Sequence, residues 1–384
     1  MINSLLPKIK NHFANRKYFY LLTFICLLQI FLAGQADLTN YDPNHDVVSY
    51  RKMAIAFPSI DYSVGKPFAH RLLAPWLVGS LFNDVDLGFT LFNALFSILF
   101  ILVLFYFIKQ NAISNRIAFF ITIVFIFNRY FIPNFAYESF RLADVLSNLM
   151  LLLALISLEK KRYAMLLILS LVGILAKESA LLIIPVGMAY IFWNDHKNKL
   201  LMFVLFSILL FAVFISIRIF IPIEQGISFT QAFLENWTKL FSFEAMAKQF
   251  FLAFNPFFLI PLFSYKDFFS FNKKNLHWLV LLLFVIFASL FGGDKERLMF
   301  AYAPVYYSFI AILFQRLEEK NSIKASVLIA TLVLCWIVNL HHIWGIVKLP
   351  TREMSLAFAL LGGFIMLLIY LKLRSERKTL LVHK

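Results

Sequence analysis

Long apolar runs separated by short polar breaks set the pattern of this chain. The runs are mostly about 15 to 22 residues long, as expected for membrane-spanning helices, whereas the strands of a membrane β-barrel are shorter and alternate in polarity. The pattern therefore predicts an all-α, polytopic membrane protein with about twelve transmembrane helices. They are predicted at residues 18–36, 87–108, 116–133, 142–158, 163–177, 179–193, 200–221, 249–264, 276–292, 298–314, 325–342 and 354–371.

Three stretches depart from the simple spanning pattern. The runs 163–177 and 179–193 are short and meet at Lys177 and Glu178, which predicts a hairpin whose tip reaches only the outer interface. Residues 72–83, with Pro75 near their start, are too short to span. They predict an interfacial helix or the bent beginning of the next span.

The composition supports a membrane protein. Hydrophobic residues make up 61% of the 384 residues and charged residues only 15%, with a mean hydropathy of +0.79. A soluble protein of this length needs more polar surface, so we expect a single membrane domain over residues 1–384. Cys26 and Cys335 lie inside apolar runs, which favours small buried hydrophobic residues over a disulfide or a metal site.

The net charge of +15 lies largely in the gaps between the apolar runs. Basic residues in such gaps orient helices and meet anionic lipids, so nucleic acid is not an expected partner. Every second gap is rich in lysine and arginine, which predicts cytoplasmic termini in the inner (plasma) membrane and an outer, periplasmic loop at 37–86. The first span is expected to stay as an anchor, the alternative being a signal peptide cleaved near Gly34-Gln35-Ala36.

The outer side carries most of the unusual chemistry. Several basic residues there oppose the positive-inside bias, and an anionic ligand is one reason for that placement. Four groups recur at the outer ends of different spans: Asp42, His45 and Asp46 with Tyr50; His70 with Arg71; Glu138, Arg141 and Asp144, whose spacing by three predicts one helix face; and Lys177 and Glu178 with Asp294, Lys295 and Arg297. An interfacial salt bridge is the alternative explanation for each group.

The segment Asn44-His45-Asp46-Val47-Val48-Ser49-Tyr50 resembles the first outer loop of the GT-C superfamily of integral-membrane glycosyltransferases. Residues 67–76 are similar to the segment that closes that loop, and 176–179 and 293–297 look like later landmarks of the family. The resemblance covers residues 18–76 and the two short patches. It implies a GT-C-like fold and an inverting transfer of a hexose or pentose from a polyprenyl-phosphate donor. Family members often carry two adjacent acids in this loop, whereas here His45 precedes Asp46, so Mg²⁺ or Mn²⁺ is left as an open alternative to a metal-free site.

The residues also fit this chemistry without the resemblance. Sugar transfer from a polyprenyl phosphate needs a base for the acceptor hydroxyl and cations for the departing phosphate. Asp46 is the expected base and Asp42 the alternative, unless Asp46 only caps the next helix. The expected donor-binding residues are His70, Arg71, Arg141, Lys177, Glu178, Asp294, Lys295 and Arg297, and the expected acceptor-binding or supporting residues are His45, Tyr50, Glu138 and Asp144.

Other functions fit a polytopic protein of this kind. A lipid-linked polysaccharide polymerase or another outer-face transferase would share the topology and the cations. A secondary transporter or flippase of lipid-linked saccharides would match the helix count, but transporters concentrate polar residues at mid-membrane and often repeat their halves. We therefore expect a glycosyltransferase whose partners are a lipid-linked sugar donor, membrane lipids and an acceptor that is a lipid, a glycan or a protein.

Overall fold

The computed structural model of this protein describes residues 2–38, 41–43, 45–128, 131–194, 197–223, 226, 229–240, 242–289, 295–319, 325–339 and 352–382. These residues are predominantly helical, and the β-type contact found among them is an isolated parallel bridge between Lys66 and Gly226. The predicted all-α fold class is confirmed. The α-helices are α1 (Ile2–Ala33), α2 (Asp46–Ile55), α3 (Leu73–Leu81), α4 (Val85–Lys109), α5 (Asn115–Ile126), α6 (Leu142–Glu159), α7 (Tyr163–Ala176), α8 (Ile183–Trp193), α9 (Leu200–Phe220), α10 (Phe229–Leu240), α11 (Phe243–Phe254), α12 (Ile260–Phe263), α13 (Tyr265–Lys274), α14 (Leu276–Ala288), α15 (Lys295–Met299), α16 (Ala303–Glu318), α17 (Ala325–Asn339) and α18 (Arg352–Val382).

Several of these helices are long and apolar enough to cross a membrane, so the chain is a multi-pass membrane protein. Within the described ranges there are five such segments: Arg16–Ala33, Val85–Lys109, Ser139–Glu159, Leu200–Phe220 and Arg297–Glu318. The pair α13 and α14, bent by 109°, would add a sixth if it forms one broken span. The predicted number of about twelve spans is not confirmed.

Some predicted spans contain helices that end early, for reasons that the sequence carries. The run 249–264 is interrupted because Pro256 cannot continue α11, which ends at Phe254. In the run 116–133, α5 ends at Ile126, and the Asn128 side chain then donates hydrogen bonds to the carbonyl oxygens of Ala253 (3.1 Å) and Asn255 (2.8 Å). Buried polar groups therefore bond to each other where these two helices stop.

The core of the bundle is largely aromatic. Helices α6 and α16 are buried along most of their length, whereas only 22% of the residues are buried in α9 and in the part of α1 whose side chains are described, Arg16–Ala33, as in lipid-facing helices. In the centre, the Phe125 ring contacts Phe100 on α4 and Phe300 and Tyr307 near the start of α16, with ring centroids 5.1 to 5.6 Å apart. Such contacts fix how α4, α5 and α16 pack.

The loop predicted at 37–86 folds into short elements against one end of the bundle. It contains α2, a 3₁₀ turn at Phe68–His70 and α3, as expected for a loop with its own helices. The segment after α9 holds this loop in position, because His70 Nε2 lies 3.0 Å from the carbonyl oxygen of Ile221 and Gly226 forms the bridge to Lys66. The outer position of the loop stays a prediction.

Candidate functional site

Asp46 is the centre of a buried ion-pair cluster at this end of the bundle. It is the first residue of α2 and is only 6% exposed. His45, in an extended conformation, is the N-cap residue, and its Nδ1 lies 2.9 Å from Asp46 Oδ1. The same oxygen accepts the backbone N–H of Val47 at 3.0 Å. Asp46 Oδ2 pairs with Arg297 Nη1 and lies 3.5 Å from Arg141 Nε. Asp46 therefore supports the start of α2 and also joins two arginines from other elements.

Arg297 connects Asp46 to a second buried pair. It lies on α15, and its Nε is 3.8 Å from Asp144 Oδ1 near the start of α6. Asp144 also pairs with Lys177, which follows the end of α7, and both side chains are about 3% exposed. A buried lysine or aspartate is costly unless it is paired. Arg297 and Lys177 thus neutralise Asp144 from two different elements.

Arg141 and Glu138 complete the cluster on the side of Asp46. They lie one turn apart around the 3₁₀ turn Ser139–Arg141, and Arg141 Nε pairs with Glu138 Oε2. Tyr41 Oη donates a hydrogen bond to Glu138 Oε1 at 3.1 Å, and the Tyr41 ring lies 4.6 Å from the His45 ring. Glu138 is therefore held by an arginine on one oxygen and by a phenol on the other.

A second group, the Arg71–Glu178 pair, lies next to this cluster. Arg71 is 4% exposed, and its Nε donates to Glu178 Oε2 at 3.0 Å while Nη2 pairs with Oε1, so the contact is bidentate. Arg71 Nη1 also donates to the buried Tyr50 hydroxyl at 2.6 Å. Because Glu178 directly follows Lys177, the two groups are joined through the chain.

The environments of the carboxyl groups differ. Burial alone would raise the pKa of Asp46, but the hydrogen bond from His45 and the charges of Arg297 and Arg141 outweigh it, so the pKa lies well below its ordinary value. Burial likewise opposes ionisation of Glu178, but Arg71 lowers its pKa to about 2. For Glu138 burial is the larger effect, and its pKa is raised despite Arg141. Glu138 thus binds a proton more readily than Asp46 or Glu178.

A model of the EpsG family matches residues 19–348. The chain belongs to the EpsG family. The matched range contains every residue of the ion-pair cluster and the Arg71–Glu178 pair. Membership supports a membrane-embedded protein with a polysaccharide-polymerase or glycosyltransferase-like function, and the narrower GT-C resemblance stays a prediction. No curated protein and no solved structure matches the chain.

In this EpsG-family chain, most of the predicted site residues lie together. The cluster and the adjacent pair contain His45, Asp46, Tyr50, Arg71, Glu138, Arg141, Asp144, Lys177, Glu178 and Arg297. Their proximity does not assign a role to any of them, so the predicted roles stay predictions.

The other predicted residues are placed differently. His70 is buried, but its ring bonds to the carbonyl oxygen of Ile221. Asp42 is exposed, and its backbone carbonyl accepts the N–H of His45 at 2.8 Å. Asp294 and the side chain of Lys295 lie outside the described residues. The structure therefore gives Asp46, rather than Asp42, the more enclosed position.

One contact of the EpsG-family site was not expected from the sequence, namely that of Tyr41 with Glu138. The two residues are 97 positions apart, so no spacing rule connects them. A signal was present, since Tyr41 lies in the same polar loop as His45.

The charged side chains of this site suit an anionic ligand. Cations separate the carboxylates, and in the described part of the chain no three His, Cys, Asp or Glu side chains are grouped to hold a metal ion. Arg71, Arg141, Lys177 and Arg297 supply guanidinium and ammonium groups of the kind that bind phosphate. The Mg²⁺ or Mn²⁺ alternative stays a prediction.

Proposed function

We propose that this EpsG-family protein is a polysaccharide-polymerase-type glycosyltransferase. It would transfer a saccharide from a polyprenyl-phosphate-linked donor to a hydroxyl group of an acceptor glycan on the outer face of the membrane. The observation that carries the proposal is the convergence of Arg71, Arg141, Lys177 and Arg297, from separate parts of the fold, on one buried site in a membrane protein of this family. Ionisable residues buried in a membrane protein mark a functional site more often than a purely structural one.

The carboxylates explain how the cations are held before the donor arrives. Each of the four cations is paired with Asp46, Glu138, Asp144 or Glu178. A donor phosphate would replace part of this pairing, because its oxygens offer the guanidinium groups the same bidentate geometry. The cations are thereby pre-organised, and they stabilise the charge that develops on the phosphate as the sugar leaves.

We assign the proton-accepting role to Glu138 and a positioning role to Asp46. Asp46 uses its oxygens to hold His45, Val47, Arg297 and Arg141, and its low pKa makes it a weak base. The raised pKa of Glu138 lies closer to the pH at which a carboxylate works as a general base. The sequence-based assignment of Asp46 as the base is the alternative that the pH experiment in the Discussion separates from this one.

The proposed reaction is a single displacement. The acceptor hydroxyl oxygen forms a bond to the anomeric carbon while its proton moves to Glu138. The bond between the anomeric carbon and the phosphate oxygen breaks, and its electron pair stays on the polyprenyl phosphate. A single base with no covalent sugar–enzyme intermediate implies inversion at the anomeric carbon.

The proposal is tested with purified protein in liposomes and a donor that carries a radiolabelled saccharide on polyprenyl phosphate. The wild-type protein is expected to move the label into a larger glycan. Arg297→Gln is expected to weaken donor binding about ten- to a hundredfold, the value of one charged hydrogen bond. Arg297→Lys should also weaken it, because the planar fork is lost although the charge remains.

Two further variants control this experiment. Arg316→Gln breaks the exposed pair of Arg316 with Asp267, 2.9 Å apart at the other end of α16, and should leave activity unchanged. The double change Asp46→Asn with Arg297→Gln removes both charges of one pair, so it avoids the unpaired buried charge that could unfold Arg297→Gln alone. Labelled donor that crosses the bilayer with its sugar still attached, and forms no product, would instead identify a flippase.

A further inference from the structure

An apolar groove lies beside the Arg71–Glu178 pair, between α3 and α9. Its lining includes Leu72 and Trp76 on one side and Ser216, Ile217 and Phe220 on the other, and its volume is about 400 Å³. A second cavity of about 330 Å³ lies at the same two residues of the α3 region, Leu72 and Trp76, and extends towards α7. Because α9 is one of the lipid-exposed helices, an apolar chain could enter the groove from the membrane.

Two arginines lie near this groove without lining it. Leu72, which lines it, directly follows Arg71 in the chain. On the opposite side, Arg218 extends from α9 with its guanidinium carbon 3.6 Å from the centre of the Phe214 ring, and its charge acts on Arg71 and Glu178. A ligand that complements this arrangement has an apolar chain and an anionic head.

Trp76 provides a separate sign of a ligand. Its Nε1 is buried and has no hydrogen-bond partner among the described residues. Buried indole N–H groups usually donate a hydrogen bond. An oxygen atom of the anionic head, rather than the apolar chain, would supply an acceptor for this N–H.

We propose that this groove binds the prenyl chain of the lipid-linked donor, with the donor phosphate at Arg71, one of the four cations of the proposed site. The inference rests on the proposed function, since it supplies the apolar part of the same substrate. It also has a physical consequence for selectivity. A chain that moves from lipid into the groove gains little from the hydrophobic effect, because both environments are apolar. Packing against the groove and the contacts of the head group therefore decide which lipid binds.

The test is photolabelling, which needs no catalysis. Polyprenyl phosphate with a diazirine in its prenyl chain is irradiated with the full-length protein in phospholipid liposomes, and the modified residues are found by mass spectrometry. The adducts are expected at residues 57–77 and 213–221. Excess unlabelled polyprenyl phosphate should abolish them, and excess phospholipid should not. Adducts elsewhere, or equal competition by phospholipid, would overturn the proposal in favour of a lipid-filled surface groove.

Matched variants sharpen the result. Ser216→Trp fills the groove and should lower labelling about tenfold or more, as overpacking does. Ile215→Trp adds the same ring at the neighbouring position, which is exposed and does not line the groove, and should label like the wild type. Trp76→Phe keeps an aromatic ring but removes the indole N–H, and it should lower labelling several-fold without filling the groove. Equal labelling of all four proteins refutes the groove.

The outcome is separable from that of the transfer assay. Labelling in the groove without formation of a glycan product would support the lipid site and contradict the proposed reaction. Product formation without labelling in the groove would support the proposed reaction and contradict the lipid site.

Discussion

At the scale of single residues, Asp46 and Glu138 illustrate how one arginine can serve two different carboxyl groups. Both lie next to Arg141, but Asp46 has Arg297 and His45 in addition, whereas Glu138 has the Tyr41 hydroxyl as its second partner among the described residues. The extra positive and donor groups keep Asp46 ionised, and burial dominates for Glu138. Carboxyl groups whose environments separate their pKa values can divide positioning and proton transfer between them.

This division predicts the pH dependence of kcat/KM. A general base works only when ionised, so kcat/KM should fall as the pH decreases through the pKa of Glu138, with a midpoint above its ordinary value of 4.5. Glu138→Gln should remove this fall from the acidic limb of the pH profile and lower activity by about 10²–10⁴-fold. Asp46→Asn should keep the limb but shift it to lower pH, because the negative charge of Asp46 raises the pKa of Glu138.

The same profiles would contradict the assignment in one clear case. A limb with its midpoint below 3.8, the ordinary value for Asp46, that disappears in Asp46→Asn would return the base role to Asp46. Glu138→Gln would then leave the shape of the profile unchanged.

At the scale of elements, the segment between α9 and α10 adds two contacts that hold the loop 37–86 on the bundle, beside the ion pairs of Asp46 and Arg71. It contacts the loop at Ile221, which faces His70, and at Gly226, which bridges to Lys66. Gly226 has a φ of +104°, and a Cβ added there would lie 2.5 Å from the Lys66 carbonyl oxygen. Only glycine allows this close approach, so a local backbone feature holds the loop that carries Asp46 and Arg71.

Gly226→Ala is therefore expected to loosen the loop. The added Cβ meets backbone atoms that cannot rotate away, and the strained φ alone costs about 1–3 kcal/mol. Gly34→Ala is the control, because Gly34 also has a positive φ of +69° but nothing within 4 Å of its Cβ position. The measurement is the thermal unfolding midpoint in detergent together with protease cleavage near residue 63. Equal effects of the two changes would show that the contact with Lys66 holds nothing in place.

At the scale of the whole molecule, charged groups are separated to the two ends of the helical bundle. The ion-pair cluster lies at the start of α6, the end of α7 and α15, ahead of α16. The far end of α16 instead carries Arg316 paired with Asp267, and Glu318 3.7 Å from Arg116. The helix ends that form the cluster are those that the lysine and arginine distribution assigns to one side of the membrane.

The proposed outer position of the cluster predicts the accessibility of introduced cysteines. Ser63→Cys, in the loop 37–86, should react with a membrane-impermeant thiol reagent in intact cells, because residue 63 is exposed. Lys199→Cys, exposed before α9, should react only after permeabilisation. Cys26 and Cys335 are buried and provide a low background. The reverse labelling pattern would move the site to the cytoplasmic face and exclude an outer-face transferase.

The sequence by itself determined the features that depend on short-range geometry. Apolar runs of helical length predicted an all-α membrane protein, because helix length is a local property. The spacing of Glu138, Arg141 and Asp144 predicted one helix face, which is wrong: only Asp144 lies on α6, and Glu138 pairs with Arg141 around the 3₁₀ turn Ser139–Arg141 that precedes it. The sequence did not fix where α5 ends, because the Asn128 side chain that follows it finds its acceptors, the carbonyl oxygens of Ala253 and Asn255, only after the bundle packs.

Only the tertiary structure decided which distant residues meet. Arg297 and Asp46 are 251 positions apart, and Arg71 and Glu178 are 107 apart, so their pairing follows from the packing of whole helices. The same packing turned His70 towards Ile221, left Asp42 exposed and brought Tyr41 to Glu138. Residue type and position along the sequence predicted that the charged groups of the site lie at the outer ends of different spans. Burial and proximity in three dimensions are not encoded locally in the sequence. Together they lower the pKa of Asp46 and Glu178 and raise that of Glu138, the candidate base.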